Sequence, residues 1–119
     1  MPLVRIIYQE TADHPEVLRR LQVGLQEIVA SALTTPNARL VKDDIELIFE
    51  LGDSLNIGKD LKVIVSANDF AERKKNLQER SEQISAGVKK LLSHSPLHSG
   101  KQIHGFVYVR LSDGGLGKF

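Results

Sequence analysis

The chain runs through one strand–helix–strand pattern and then begins it again, which restricts the available folds more than any other feature. Pro2–Gln9 is apolar and β-branched and reads as a strand. Asp13-His14-Pro15-Glu16 offers an acidic cap, a glutamate three residues on and a proline in the first turn, so a helix is expected to start there. Leu18, Leu21, Leu25, Ile28, Val29 and Ala32 recur at helical spacing and carry one buried stripe to about Leu33. Thr34–Val41, with Pro36 and Asn37, is a loop. Ile45–Leu51 alternates as a strand, Gly52–Lys59 reads as a turn and Leu61–Ser66 as a third strand.

Asp69-Phe70-Ala71-Glu72 then repeats the helix start, and a long helix is expected with Phe70, Leu77, Ile84, Val88 and Leu91 on one side. Ser93–Lys101 is a loop, Gln102–Leu111 a strand and Ser112–Phe119 a glycine-rich tail. Displacing the chain from 13 to 69 matches Asp13 with Asp69, Glu16 with Glu72, Leu21 with Leu77, Gln22 with Gln78, Ile28 with Ile84 and Ala30 with Ala86. The expected architecture is α+β, one domain over 1–119, with repeat 1 at about 2–57 and repeat 2 at about 58–119.

Composition narrows the partners. The 16 basic and 15 acidic residues nearly cancel, so no strong field favours nucleic acid or an anionic membrane. No stretch approaches the ~18 apolar residues of a membrane span. The N-terminus lacks the basic-then-apolar plan of a signal peptide. The absence of cysteine excludes disulfides, thiol catalysis and zinc–thiolate sites. A cytoplasmic protein is the expectation.

Pro2 is the residue with the most chemistry. Methionine before proline is commonly trimmed, which would leave a prolyl secondary amine at the fixed start of a strand. An α-amino group titrates at about 7.7–8.0, and desolvation or a nearby cation lowers that value. Such an amine can exchange protons near neutrality without a catalytic side chain. The alternative is that Pro2 only opens an edge strand, a position proline tolerates.

Two folds share the order β-α-β-β-α-β: the ferredoxin-like sandwich and the fused-repeat fold of the tautomerases. Pro2 at the head of the first strand, the Asp-x-x-Glu helix start and Asn56-Ile57-Gly58 in the turn after strand two make the chain resemble the tautomerase superfamily. That superfamily includes 4-oxalocrotonate tautomerase (4-OT), 5-carboxymethyl-2-hydroxymuconate isomerase, malonate semialdehyde decarboxylase and macrophage migration inhibitory factor (MIF). The resemblance covers nearly the whole chain in element order. It implies a homotrimer, a proline amine as general acid–base near a subunit boundary, a small 2-hydroxy- or 2-oxo-acid substrate and no cofactor. A non-catalytic oligomeric α/β interaction module is the alternative.

The departures from the family pattern are specific. Ala12 and Glu46 stand where short tautomerases carry arginines for substrate carboxylates, and Leu55 stands at the turn aromatic. Preorganised positive charge must then come from elsewhere. On the last strand, period two sets His104, Phe106, Tyr108 and Arg110 on one face and Ile103, Val107, Val109 and Leu111 on the core face. The first row is a candidate pocket lining or an aromatic-rich subunit contact. The resemblance brings a pocket residue near His104 and Phe106 and a binding cation near Lys42. Arg5 falls on the strand face opposite Pro2 and reads as an interface ion pair. Arg73, beside Lys74 and Lys75, reads as part of a solvated helix face. His94 and His98 flank Pro96 and cannot share a helical face as metal ligands, so no metal is expected. Gly52–Lys59 and Gly114–Lys118 lack phosphate-loop spacing. Phe119 is a candidate anchor on a neighbouring subunit.

Overall fold

The computed structural model describes residues 2–52, 58–69, 71–93 and 103–112. Its elements are β1 (Leu3–Tyr8), a 3-10 turn (Glu10–Ala12), α1 (Pro15–Leu33), a second 3-10 turn (Lys42–Asp44), β2 (Glu46–Leu51), β3 (Leu61–Asn68), α2 (Ala71–Lys75), α3 (Leu77–Leu92) and β4 (Gly105–Ser112). The strands form one sheet in the order β2-β1-β3-β4. β1 runs parallel to β2, β3 runs parallel to β4, and β1 and β3 meet antiparallel in the middle.

That pairing decides between the two folds. A ferredoxin-like domain splits each β-α-β unit by inserting a strand, whereas here the two strands of each unit are direct neighbours. The central register is itself twofold: Leu3 lies opposite Ser66 as Leu61 lies opposite Tyr8. Taking the first residues of the leading strands β1 and β3 as equivalent, Leu3 corresponds to Leu61 and Pro2 to Asp60.

Alternation along each strand divides the sheet into a covered face and an open one. Val4, Ile6, Val63, Val65, Ala67 and Val109 are buried beneath the helices, in one cluster with Val17, Leu21, Leu25 and Val29 of α1 and Ile84 and Val88 of α3. The apolar stripe expected on α1 is present, extended by buried Val17 and Leu33. The helices approach closely through reciprocal glycines. A Cβ on Gly24 would stand 2.6 Å from a Leu91 methyl, and one on Gly87 would stand 2.7 Å from Ile28.

Three local expectations are corrected. The cap of α1 is His14, not Asp13: its Nδ1 accepts from the Glu16 N–H at 3.1 Å. The second helix is not continuous. It breaks at Asn76 (φ −134°, ψ 40°), where the side-chain oxygen accepts from Arg80 Nε at 2.8 Å. Asparagine is a weaker helix former than the residues around it, and its bond to Arg80 holds the side chain at the break. The last strand is displaced from the expected Gln102–Leu111 to Gly105–Ser112. Phe70, Leu55, Asn56, Ile57, His94, His98, Gly114–Lys118 and Phe119 lie outside the described residues. Among the described residues, no helix is long and apolar enough to cross a membrane.

Candidate functional site

Pro2 is buried, and its carbonyl accepts from the Glu46 N–H at 3.2 Å, so the hydrogen-bond ladder holds the residue ahead of β1 in place. The antiparallel register puts it opposite Ala67, with Asn68 one residue beyond. Ile45, immediately before β2, is 2 % exposed, and Ala67 is 6 % exposed. Pro2 thus stands between two buried apolar residues.

Because α1 runs back along the sheet, its C-terminus arrives at this same end. Two arginines from the second half meet it. Arg73 Nε donates to Leu33 O at 3.0 Å and Nη1 to Asn68 O at 3.1 Å. Arg80 Nη1 donates to Ala32 O at 2.7 Å and to Thr34 O at 3.0 Å. Helix C-termini leave carbonyls unpaired and carry partial negative charge, so these cations satisfy both needs at once.

Arg73 is 2 % exposed, which overturns its reading as a solvated surface residue. Burial, and then the charge of Arg80, push its pKa below the ordinary arginine value. A sequence signal for it existed. Arg73, Leu77, Arg80 and Ile84 follow helical spacing, so both arginines belong to the apolar stripe rather than to the charged face. Thr35, also at this end, is 2 % exposed, and its hydroxyl has no hydrogen-bond partner.

The other candidates lie on the open face, in rows set by the registers. Glu46, Leu3, Ser66 and Arg110 form the row next to Pro2; Ile48, Arg5, Ile64 and Tyr108 form the second; Glu50, Ile7, Lys62 and Phe106 form the third. Lys42 is exposed in the turn before β2, also at the Pro2 end. Arg110 is two strands from β1, about 10 Å at ordinary strand spacing. Phe106 and Tyr108 are 45 % and 57 % exposed. His104 sits beside Asp60 at the opposite end of the sheet, about 20 Å from Pro2 along the strands. Lys42 and Arg110 thus lie toward the Pro2 end of the sheet, Arg110 on the open face and Pro2 on the covered one, and His104 and Phe106 lie toward the other end. Arg5 pairs within its own chain, through two hydrogen bonds of 2.9 Å to Glu50. That pairing holds the Glu50 carboxyl below its usual range.

The position equivalent to Pro2 in the second half is built differently. Asp60 Oδ1 accepts from the Thr11 hydroxyl at 2.6 Å and Oδ2 from the His104 N–H at 3.0 Å, while its carbonyl accepts from the Gln9 N–H at 2.9 Å. Its carboxylate is a tie between loop and strand. Ala12, next to that tie, is fully buried. An apolar groove of about 440 Å³ lined by Arg20, Ile28, Gly87, Lys90 and Leu91 lies on the helical layer, away from Pro2.

Neither a family model nor a curated protein matches the sequence. Solved structures do. A wild-type fused 4-OT, solved as an asymmetric trimer, is similar over 97 % of this chain and 92 % of its own, at 18 % identity and a TM-score of 0.61. MIF2 from Leishmania major is similar over 98 % of this chain and 95 % of its own, at 17 % identity and a TM-score of 0.53. Pt0534, in a structure of the protein inactivated by 2-oxo-3-pentynoate, is similar over 94 % of this chain and 85 % of its own, at 17 % identity and a TM-score of 0.56.

Proposed function

We propose that this chain, which has the fused-repeat tautomerase fold, is a tautomerase-superfamily enzyme of the cytoplasm, working without a cofactor through Pro2 once Met1 is removed. The observation that carries the reading is the burial of Pro2 at the start of β1, between Ile45 and Ala67, within that fold. Its substrate would be a small 2-hydroxy- or 2-oxo-acid. The neutral prolyl nitrogen takes a proton from the enol oxygen or from the carbon next to the carbonyl. It returns the proton beyond one or three intervening atoms, the double bonds shifting along the path. Arg110 and Lys42 are exposed cations toward the Pro2 end, and either would meet a substrate carboxylate.

The assembly we propose is a homotrimer that covers the open sheet faces. Leu3, Ile7, Ile48, Ile64, Phe106 and Tyr108 leave that face rich in apolar side chains, with charges interspersed, as expected of a contact surface. Three of the similar fused 4-OT structures are trimers. Trimerisation would also let the His104–Phe106 end of one subunit reach the Pro2 end of the next, completing a site that no protomer completes alone.

Mass spectrometry of the purified protein establishes whether Pro2 is the mature N-terminus, and native mass spectrometry gives the subunit number. Enol–keto conversion of phenylpyruvate is then expected in the wild type and lost in Pro2→Ala. 2-Oxo-3-pentynoate carries an alkyne conjugated to a carbonyl, to which a neutral secondary amine adds; it is expected to label the Pro2 peptide and no other. A retained Met1 would end the catalytic reading. The non-catalytic module would then be favoured, in keeping with exposed Glu46 beside Pro2 where the resemblance implies an arginine.

A further inference from the structure

Resting on that reading of Pro2, we infer that Gln26 of α1 is a positioning residue: it holds the Ile45–Glu46 peptide and, through it, the placement of the prolyl ring and its nitrogen. The Glu46 N–H donates to the Pro2 carbonyl at 3.2 Å, and the carbonyl of that same peptide, Ile45 O, accepts from Gln26 Nε2 at 2.8 Å. A trans peptide is planar and points its N–H and C=O in opposite directions. Gln26 therefore grips one side of the plane and Pro2 the other, and the plane cannot turn without straining both bonds. β2 is an edge of the sheet, and an edge carbonyl aimed away from its neighbouring strand is ordinarily left unpaired. Here a side chain of α1 takes it. The helix that carries Gln26 is itself fixed, since Leu25 beside it and Val29 and Ala30 in the next turn are buried.

Two restraints on Pro2 meet at this peptide. The ring fixes the nitrogen relative to Cα, so its position depends on the plane of the Pro2 carbonyl and on rotation of the ring about the Cα–C bond. The Glu46 N–H holds the first. The second is limited by Ile45 and Ala67, which the registers place on either side of the ring and which are both buried. Gln26 binds the residue that serves both purposes. The remaining bonds of the turn act earlier in the chain: the Ile45 N–H donates to Lys42 O at 3.1 Å and the Val41 N–H to Asp44 Oδ2 at 2.8 Å. They close the turn but leave the peptide after Ile45 to Gln26. Precision of this kind matters to rate, because displacing a reacting group by about 1 Å can cost about 100-fold.

The test compares Met1-free wild type with Gln26→Met, which keeps the side-chain length but cannot donate, and with Gln26→Lys, whose ammonium can donate to the same carbonyl. Saturation kinetics are measured for phenylpyruvate conversion and for Pro2 labelling by 2-oxo-3-pentynoate, and hydrogen exchange is followed at the Glu46 amide. In Gln26→Met, kcat and the limiting labelling rate are expected to fall by about 10- to 100-fold, with KM little changed and exchange at Glu46 faster. Gln26→Lys is expected to recover all three. A role in stability alone would lower the melting temperature without separating kcat from KM. Wild-type kcat and labelling in folded Gln26→Met overturn this inference and leave the role of Pro2 standing. A wild type with neither turnover nor labelling that depends on Pro2 overturns both. If Gln26→Met does not fold, the wild type still decides: labelling of Pro2 must shift the Gln26 side-chain amide resonances together with the Glu46 N–H. Gln26 signals that stay in place overturn the coupling.

Discussion

In the first half of the chain a single 19-residue helix joins two parallel strands, whereas in the second the same path is divided into helices of 5 and 16 residues. Each half lends arginine to the C-terminus of the other's helix, but the exchange is unequal. Arg20 of α1 donates to Leu91 O at 3.3 Å while also bound to Glu16. In return, Arg73 and Arg80 supply four bonds of 2.7–3.1 Å to carbonyls at the end of α1 and of β3. The break at Asn76 separates the turn that carries Arg73 from the helix that carries Arg80, so both can reach the same helix end. Two chain segments of one topology can thus hold unequal shares of the structure, with the more irregular segment supporting the more regular one.

Removing the buried partner should break this relation most severely. Arg73→Met is expected to cost about 3 kcal/mol, since hydrogen bonds to a charged group contribute ≈ 1.5–3 kcal/mol each and one of the two it loses is buried. Arg20→Met should cost about 1 kcal/mol. Urea denaturation of the two variants reads the inequality directly, and equal losses would refute it. Next in size is Gly87→Val, whose added carbons enter the space of Ile28; overpacking of this kind costs about 1–3 kcal/mol and would loosen α1 from α3. Asn76→Ala should lower stability by about 1 kcal/mol, because Arg80 loses its side-chain acceptor. A gain would mean that helix propensity outweighs that bond. Thr35→Val should be neutral or stabilising by up to about 1 kcal/mol, since it deletes a buried hydroxyl without a partner.

The smallest effect is expected at the Arg5–Glu50 pair on the open face. Its folded-state carboxyl is held below its ordinary value, so the unfolded chain takes up the proton first as the solution is acidified. The stability contributed by the pair is therefore full above the ordinary carboxylate range and is lost as pH falls through the lowered Glu50 pKa. The wild type and Glu50→Gln should differ by a constant amount near neutrality and converge in acid. Thermal melts across that interval measure the difference.

The sequence carried the element order and the faces of the strands well, because both rest on periodicity. Val107, Val109 and Leu111 turn to the core and Phe106 and Tyr108 away from it, as alternation requires. Caps and breaks were less legible. Asp13 and His14 are both able to cap, and only the local backbone selects the histidine. Asn76 interrupts a run whose apolar period continues across it. Arg73 was hidden by its neighbours Lys74 and Lys75: a cation among cations reads as surface, and its burial depends on carbonyls 5 and 40 residues away. What was legible at Pro2 was its place at the head of β1, where it is buried. The separation of His104 from Pro2 follows from strand direction, which local pattern does not encode.

Asp60 stands where Pro2 stands in the other half, and the two have been put to opposite uses: one ties a loop to a strand through three hydrogen bonds, the other ends a strand inside an apolar enclosure. In an assembly of half-length identical chains no such divergence could arise, because every alteration would be copied into each half. Joining the halves covalently frees one copy to tie the scaffold while its twin keeps a different environment. A substitution at one such position then reports on that copy alone.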